Sequence, residues 1–161
     1  MADALKQWYV QGLQALVSAN EVGKKGAEEG TYQSKNEEVA KLAKSSADMQ
    51  ERHAQKISAL LQKAGSAPNG RENPAMTGIS KTINHMVDHA DEQVKDAAMI
   101  AGGQLALHYY IAAYGSLASD AKHIGDDDTA SQIKQMADEV KAQDEKYTAC
   151  AENLVNEQAA A

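Results

Sequence analysis

The string Gln50-Glu51-Arg52-His53 sets an amide and an imidazole three positions apart, on one face of any helix that contains them. Four-helix proteins that hold a pair of metal ions use that spacing for Glu and His, with further glutamates from neighbouring helices. The chemistry needs carboxylates there, because anionic oxygens bridge and neutralise hard cations while imidazoles complete the shell. Here a neutral amide stands at the carboxylate's place and binds such cations weakly. Gln104 and His108 pair an amide with an imidazole on a second segment, and Asn20 and Asp144 sit on two more. Asn20, Gln50, His53, Gln104, His108 and Asp144 all fall near the middle of a predicted helix and close to its apolar stripe. A bundle of those helices would gather them into one polar layer. With Asp144 the only acid among them, the expectation is no bound cofactor and no catalytic role. The alternative is iron or manganese, and the ligands of any residual metal site would be His53, His108 and Asp144. Otherwise both histidines are core groups satisfied by Gln50, Gln104, Asp144 or a tyrosine hydroxyl, since buried polar groups need partners.

Other reactive side chains have plainer readings. His85 and His89 lie one helical turn apart, a spacing that can bind zinc or nickel, but without a third ligand they read as a solvated face. Cys150 is the only cysteine, so no intrachain disulfide can form, and it reads as a small core residue. Met49, Met99 and Met136 read as core filler.

The elements that must position this layer are helices. Asp91 to Gly125 is the most apolar stretch and reads as one long helix, with Ala97, Ile100, Ala101, Gln104, His108, Ile111, Gly115 and Ala118 on its inner face. Within it, Gly102-Gly103 predicts that a neighbouring backbone packs close. A first helix covers residues 3 to about 28, with Leu5, Trp8, Gly12, Leu16, Ala19, Gly23 and Ala27 recurring at threes and fours. A second runs from about 33 to 64, with Ser34 and Glu37 at capping-box spacing and Val39, Ser46, Met49, Gln50, His53 and Ile57 inward. Residues 65 to 74 are dense in turn formers, and 75 to about 90 form a shorter helix bearing Ile79, Ile83, Met86 and Val87. The last helix, about 129 to 158, shows Ile133, Met136, Val140, Asp144, Tyr147, Ala151 and Leu154. With no strand signal, the chain is expected to be one all-α domain over 1–161: a ferritin-like antiparallel four-helix bundle. One short extra helix occupies the connection between the second and third long helices, where such bundles carry their crossover.

Charge and hydropathy exclude several classes. A net charge of −7 and a pI near 5.2 argue against nucleic acid, which wants clustered Lys and Arg. Ala97 to Ala118 is about long enough to span a bilayer, but Gln104, His108 and three tyrosines interrupt it, so no membrane partner is expected. The first residues lack the basic-then-apolar pattern of a secretion signal, so the expected location is the cytoplasm. Tyr110 and Tyr114 share one side of the central helix and Tyr109 points elsewhere. A tyrosine patch outside the core would suit a subunit contact, so a homodimer is expected.

At Asn73-Pro74-Ala75-Met76-Thr77-Gly78, at Gln104 through Gly115 and at Asp144-Glu145-Lys146, the chain resembles the YciE/YciF-type family. That family is a ferritin-like helical bundle of unknown function associated with bacterial stress responses. In the second of these stretches it reads Gln-x-x-Glu-His-Tyr-Glu-Ile-Ala-x-Tyr-Gly. The present chain keeps the glutamine, the histidine and the tyrosines, but has Leu107 and Tyr110 where the family has glutamates. A family glutamate of the first helix falls on Asn20 and one of the last helix on Val140, while Asp144 is kept. The resemblance therefore implies a ferritin-like scaffold whose di-metal site is largely lost, with a possible stress-related role. A di-metal oxidase or catalase, or a small-ligand binder using the mid-bundle polar cavity, are the competing expectations.

Overall fold

A computed structural model describes residues 2–155, with side chains from Asp3 to Asn153. Five α-helices follow one another: α1 (Ala2–Gln33), α2 (Glu37–Lys63), α3 (Pro74–Asp88), α4 (Lys95–His123) and α5 (Asp127–Cys150). A π-helical turn, Ala151–Val155, ends the described chain. No described residue is in a strand. The chain is an all-α bundle. Helices α1 and α2 pack as one hairpin and α4 and α5 as another, with α3 lying against α4 and α1.

Local chemistry sets the boundaries. The α2 cap is Asn36, whose side chain accepts from the Glu38 and Val39 amides, and not Ser34 as the capping-box spacing suggested. Ser34 is drawn to Asp96 instead, at 2.6 Å. Helix α1 continues past Gly30 to Gln33, because Gly30 faces Ala43 and Met99 across a packed contact. Both α2 and α4 close with the same turn. Gly65 (φ +77°) and Gly125 (φ +83°) occupy the left-handed position, and the next amides reach back to Leu61 and Ala121. Pro74 starts α3 where a missing N–H is harmless, and Asn73 caps it through Met76.

The core is built from Leu13, Leu16, Ile57, Leu61, Leu107, Tyr110, Tyr114, Ile133 and Met136, each buried. Helix α2 buries the stripe its sequence predicts. Two faces differ from expectation. On α1, Tyr9 and Leu13 point inward, and Trp8 is 65% exposed. On α4 the buried side runs Leu107, Tyr110, Tyr114, Leu117 and Ala121, about one residue (some 100°) round the helix from the expected face. The cause is that α4 is apolar nearly all round, so periodicity singles out no face. The glycine pair is explained by side chains rather than by a backbone. A methyl group at Gly102 would meet Ile83 of α3 at 2.7 Å, and one at Gly103 would collide with the Tyr147 ring of α5. Met49, Met99, Met136 and Cys150 are buried, as core filler should be. No helix among the described residues is long and apolar enough to cross a membrane.

Candidate functional site

The predicted polar layer divides in two. Its inner half is a chain of hydrogen bonds that crosses the bundle. Asn20 of α1 donates through Nδ2 to the Tyr114 hydroxyl (2.9 Å) and to the Leu16 carbonyl (2.8 Å). The Tyr114 hydroxyl of α4 lies 3.2 Å from Nδ1 of His53 on α2. On the far side of the ring, Nε2 of His53 lies 3.0 Å from a carboxylate oxygen of Glu139 on α5. A carboxylate only accepts, so Nε2 carries the proton and donates to Glu139, which leaves Nδ1 as an acceptor; the one Tyr114 proton lies within reach of both Nδ1 and Asn20 Oδ1, each at 3.2 Å. Glu139 also meets Lys56 at 3.3 Å and Arg52 at 3.6 Å at the bundle surface. The His53 and Tyr114 rings pack edge to face, with centroids 5.5 Å apart.

Burial governs the protonation of this chain. His53 is fully buried, and desolvation pushes its pKa below the usual 6.5, the hydrogen bond and charge of Glu139 opposing in part. Partial burial alone would raise the Glu139 carboxyl, but the His53 hydrogen bond and the nearby Lys56 outweigh it, so its pKa is lowered. Tyr114 and Tyr110 are pushed well above 10 by burial, so both hydroxyls stay protonated and can donate.

The outer half is Gln104, His108 and Asp144. His108 does not enter the core, as the sequence suggested. Its side chain is 67% exposed, a consequence of the rotated face of α4, and its Nε2 lies 3.1 Å from Asp144. Gln104 donates to Thr148 at 2.9 Å and to Asp144 at 3.4 Å. His53 therefore shares no hydrogen-bond partner with His108 or Asp144, and the three do not form one ligand set. Among the described residues, no three His, Cys, Asp or Glu side chains come together in a metal-holding arrangement. His85 and His89 lie on the exposed side of α3 with ring centroids 4.2 Å apart and planes tilted by 37°, and the His89 ring donates to the His85 carbonyl.

Gln50, one turn before His53, is 3% exposed, and its Oε1 has no hydrogen-bond partner. Beside it, the Tyr110 hydroxyl donates to the Ala19 carbonyl at 2.5 Å. A methyl group at Gly23 would collide with that hydroxyl and come within 2.9 Å of Gln50 Nε2, so glycine is what lets Tyr110 reach α1. The tyrosines thus form no outward patch of the kind expected for a subunit contact. Tyr110 and Tyr114 are in the core, and the Tyr109 hydroxyl accepts from Asn73 at 2.6 Å.

Two polar residues escaped the sequence reading, the part-exposed Glu139 and the buried Gln143. Glu139 flanks the α5 stripe and cannot be told from its acidic neighbours until the register of α5 against α2 is known. Gln143 could have been found by spacing, three after Val140 and four before Tyr147. It donates to the Leu42 carbonyl and to Ser46, both at 3.2 Å, and Ser46 also meets the Tyr147 hydroxyl at 3.1 Å.

Comparison with known proteins agrees with this architecture. A family model described as a domain of unknown function (DUF892) matches residues 4–160. Protein YciF of Escherichia coli (strain K12) is 40% identical over 86 residues, which are 53% of this chain and 52% of that protein. The chain thus spans about half the length of this curated relative in the alignment. Over the solved structure of the E. coli stress protein YciF the likeness is wider. The TM-score is 0.87 at 26% identity, covering 94% of this chain and 97% of the other. YcfI from Rhodopseudomonas palustris gives a TM-score of 0.85 at 26% identity, covering 89% of this chain and 92% of that one.

Proposed function

From the premise that the chain belongs to the DUF892 family, whose function is unknown, we propose that it is a non-enzymatic helical bundle on a ferritin-like scaffold, without a working di-metal site. One observation carries the reading. Each position where the family resemblance puts a glutamate is a neutral, buried residue here: Asn20, Leu107, Tyr110 and Val140 are all at most 1% exposed. Gln50, at the carboxylate place of the motif before His53, is a buried amide as well. Asp144, 17% exposed, is taken up by His108 and Gln104, so a pair of divalent cations placed among these groups would meet one imidazole and one further carboxylate, that of Glu139. That carboxylate is already held by Lys56 and Arg52 from outside. Neither bridging nor charge neutralisation is available, so the residues do not fit the metal pair. Asn20, Tyr114, His53 and Glu139 are then structural, tying α1, α4, α2 and α5 together.

Within this reading the protein works as a cytoplasmic homodimer in a stress-related, non-catalytic role. The support is that the solved E. coli relative is called a stress protein. The contact between subunits is not the tyrosine patch of the sequence reading.

The test is metal analysis of protein expressed in medium supplemented with iron and manganese. Less than a tenth of an equivalent of either metal per chain is expected. About two per chain would overturn the reading and restore the di-metal oxidase.

A further inference from the structure

Two histidines of α3 take no part in the core chemistry. His85 and His89 are both exposed and lie one helical turn apart, with ring centroids 4.2 Å apart. Nδ1 of His89 lies 2.9 Å from the His85 carbonyl. A carbonyl only accepts, so this nitrogen carries the ring proton, and Nε2 of the neutral imidazole is left with a free lone pair. A backbone carbonyl on the other ring nitrogen is a common way of holding a metal-ligating imidazole in the right tautomer. The His85 ring makes no hydrogen bond to any described residue, so its nitrogens are open as well.

The helix adds two things. Histidines at i and i+4 share one face and together hold zinc in helical metal sites, so the backbone already sets the spacing of a chelate. Exposed rings turn within nanoseconds, so little else has to reorganise. His89 is also the C-cap of α3, where the negative end of the helix dipole favours a cation. The other histidines lack this arrangement. Both ring nitrogens of His53 are engaged, by Tyr114 and Glu139, and His108 faces Asp144. His123 makes the same kind of backbone bond, to Ser119 at 2.7 Å, but has no second imidazole one turn away. No third His, Cys, Asp or Glu among the described residues joins His85 and His89, so the remaining positions around an ion are open to water. Neutral imidazoles without a carboxylate select late first-row metals over magnesium or manganese.

We propose that His85 and His89 form a surface metal site, which grips one zinc-class ion (Zn²⁺, Ni²⁺ or Cu²⁺) through Nε2 of His89 and a ring nitrogen of His85. The bound ion staples the last turn of α3 and keeps its other positions open to solvent. The site uses no residue of the core, and its failure would leave the reading of a bundle without a di-metal site standing.

The probe is Zn²⁺ alone, titrated into the full chain at neutral pH and followed by imidazole nitrogen correlation spectra. Saturation at one ion per chain is expected, with the His85 and His89 signals moving together and those of His53 stationary. His85→Ala or His89→Ala turns the chelate into a single imidazole and should weaken binding by about tenfold or more. Both positions are exposed, so neither substitution threatens the fold. His123→Ala should leave binding unchanged. Cu²⁺ should bind more tightly than Zn²⁺, and Mg²⁺ should not compete. Zinc binding undiminished in either His85→Ala or His89→Ala would overturn the proposal. So would shifts centred on His108 or His123, or one ion per two chains.

Discussion

His53 and His108 begin as equivalents. Each faces a carboxylate of α5, at 3.0 Å for His53 with Glu139 and 3.1 Å for His108 with Asp144. Water separates them. The His53 side chain is 0% exposed and that of His108 is 67% exposed. The first pair is locked into a chain that reaches α1 through Tyr114 and Asn20, and a missing member strands the others in a dry interior. The second competes with solvent for every bond it makes, and such pairs contribute about 0–1 kcal/mol. Near-identical geometry therefore carries very different energetic weight.

The sharpest way to break this comparison is His53→Ala. It leaves the Tyr114 hydroxyl and Asn20 partly unpaired and opens a cavity, so a loss of about 3 kcal/mol in urea unfolding is expected. A loss no larger than that of His108→Ala would show that burial does not divide the pair. Tyr114→Phe keeps the ring and removes only the hydroxyl, leaving Asn20 and His53 Nδ1 without it. A loss of about 1–2 kcal/mol is expected by the same measurement, and a neutral result would mean that the chain is not continuous.

Acid sharpens the contrast without changing side-chain volume. The folded pKa of His53 lies below its ordinary 6.5, so the unfolded chain takes up the proton first. Its contribution is complete above pH 6.5 and is lost as the pH falls below that value. Unfolding curves from pH 7.5 to 5 should show stability falling, and His53→Gln should flatten that slope. Unaltered slopes in His53→Gln would assign the acid sensitivity elsewhere. The smallest effect is at His108→Ala, expected within about 1 kcal/mol of the parent and shrinking further in high salt.

What the sequence made legible follows from contrast along each helix. Helix α2 alternates charged and apolar residues cleanly, so its inward stripe, Gln50 and His53 included, could be read directly. Helix α4 lacks that contrast. By sequence Ile111 and Ala118 make as good a core as Leu107 and Tyr114, so periodicity places His108 in an interior that it does not reach. The same error hid Tyr110, whose inward position emerges only once Gly23 is seen opposite it. The all-helical fold, the loop before Pro74 and the short α3 were legible because proline, glycine and asparagine punctuate the chain locally. Glu139 was not, because choosing among neighbouring surface acids needs knowledge of how two distant helices slide against each other.

The fit of Tyr110 against Gly23 has a bearing on how this interior can change. The phenol supplies a proton to the Ala19 carbonyl in space that a glycine leaves open. Glutamate introduced alone at that place would aim an ionised acceptor at another acceptor, with no cation yet assembled to reconcile them. Installing a charged interior would require several substitutions at once, each harmful by itself. In that sense the tyrosine acts as a ratchet.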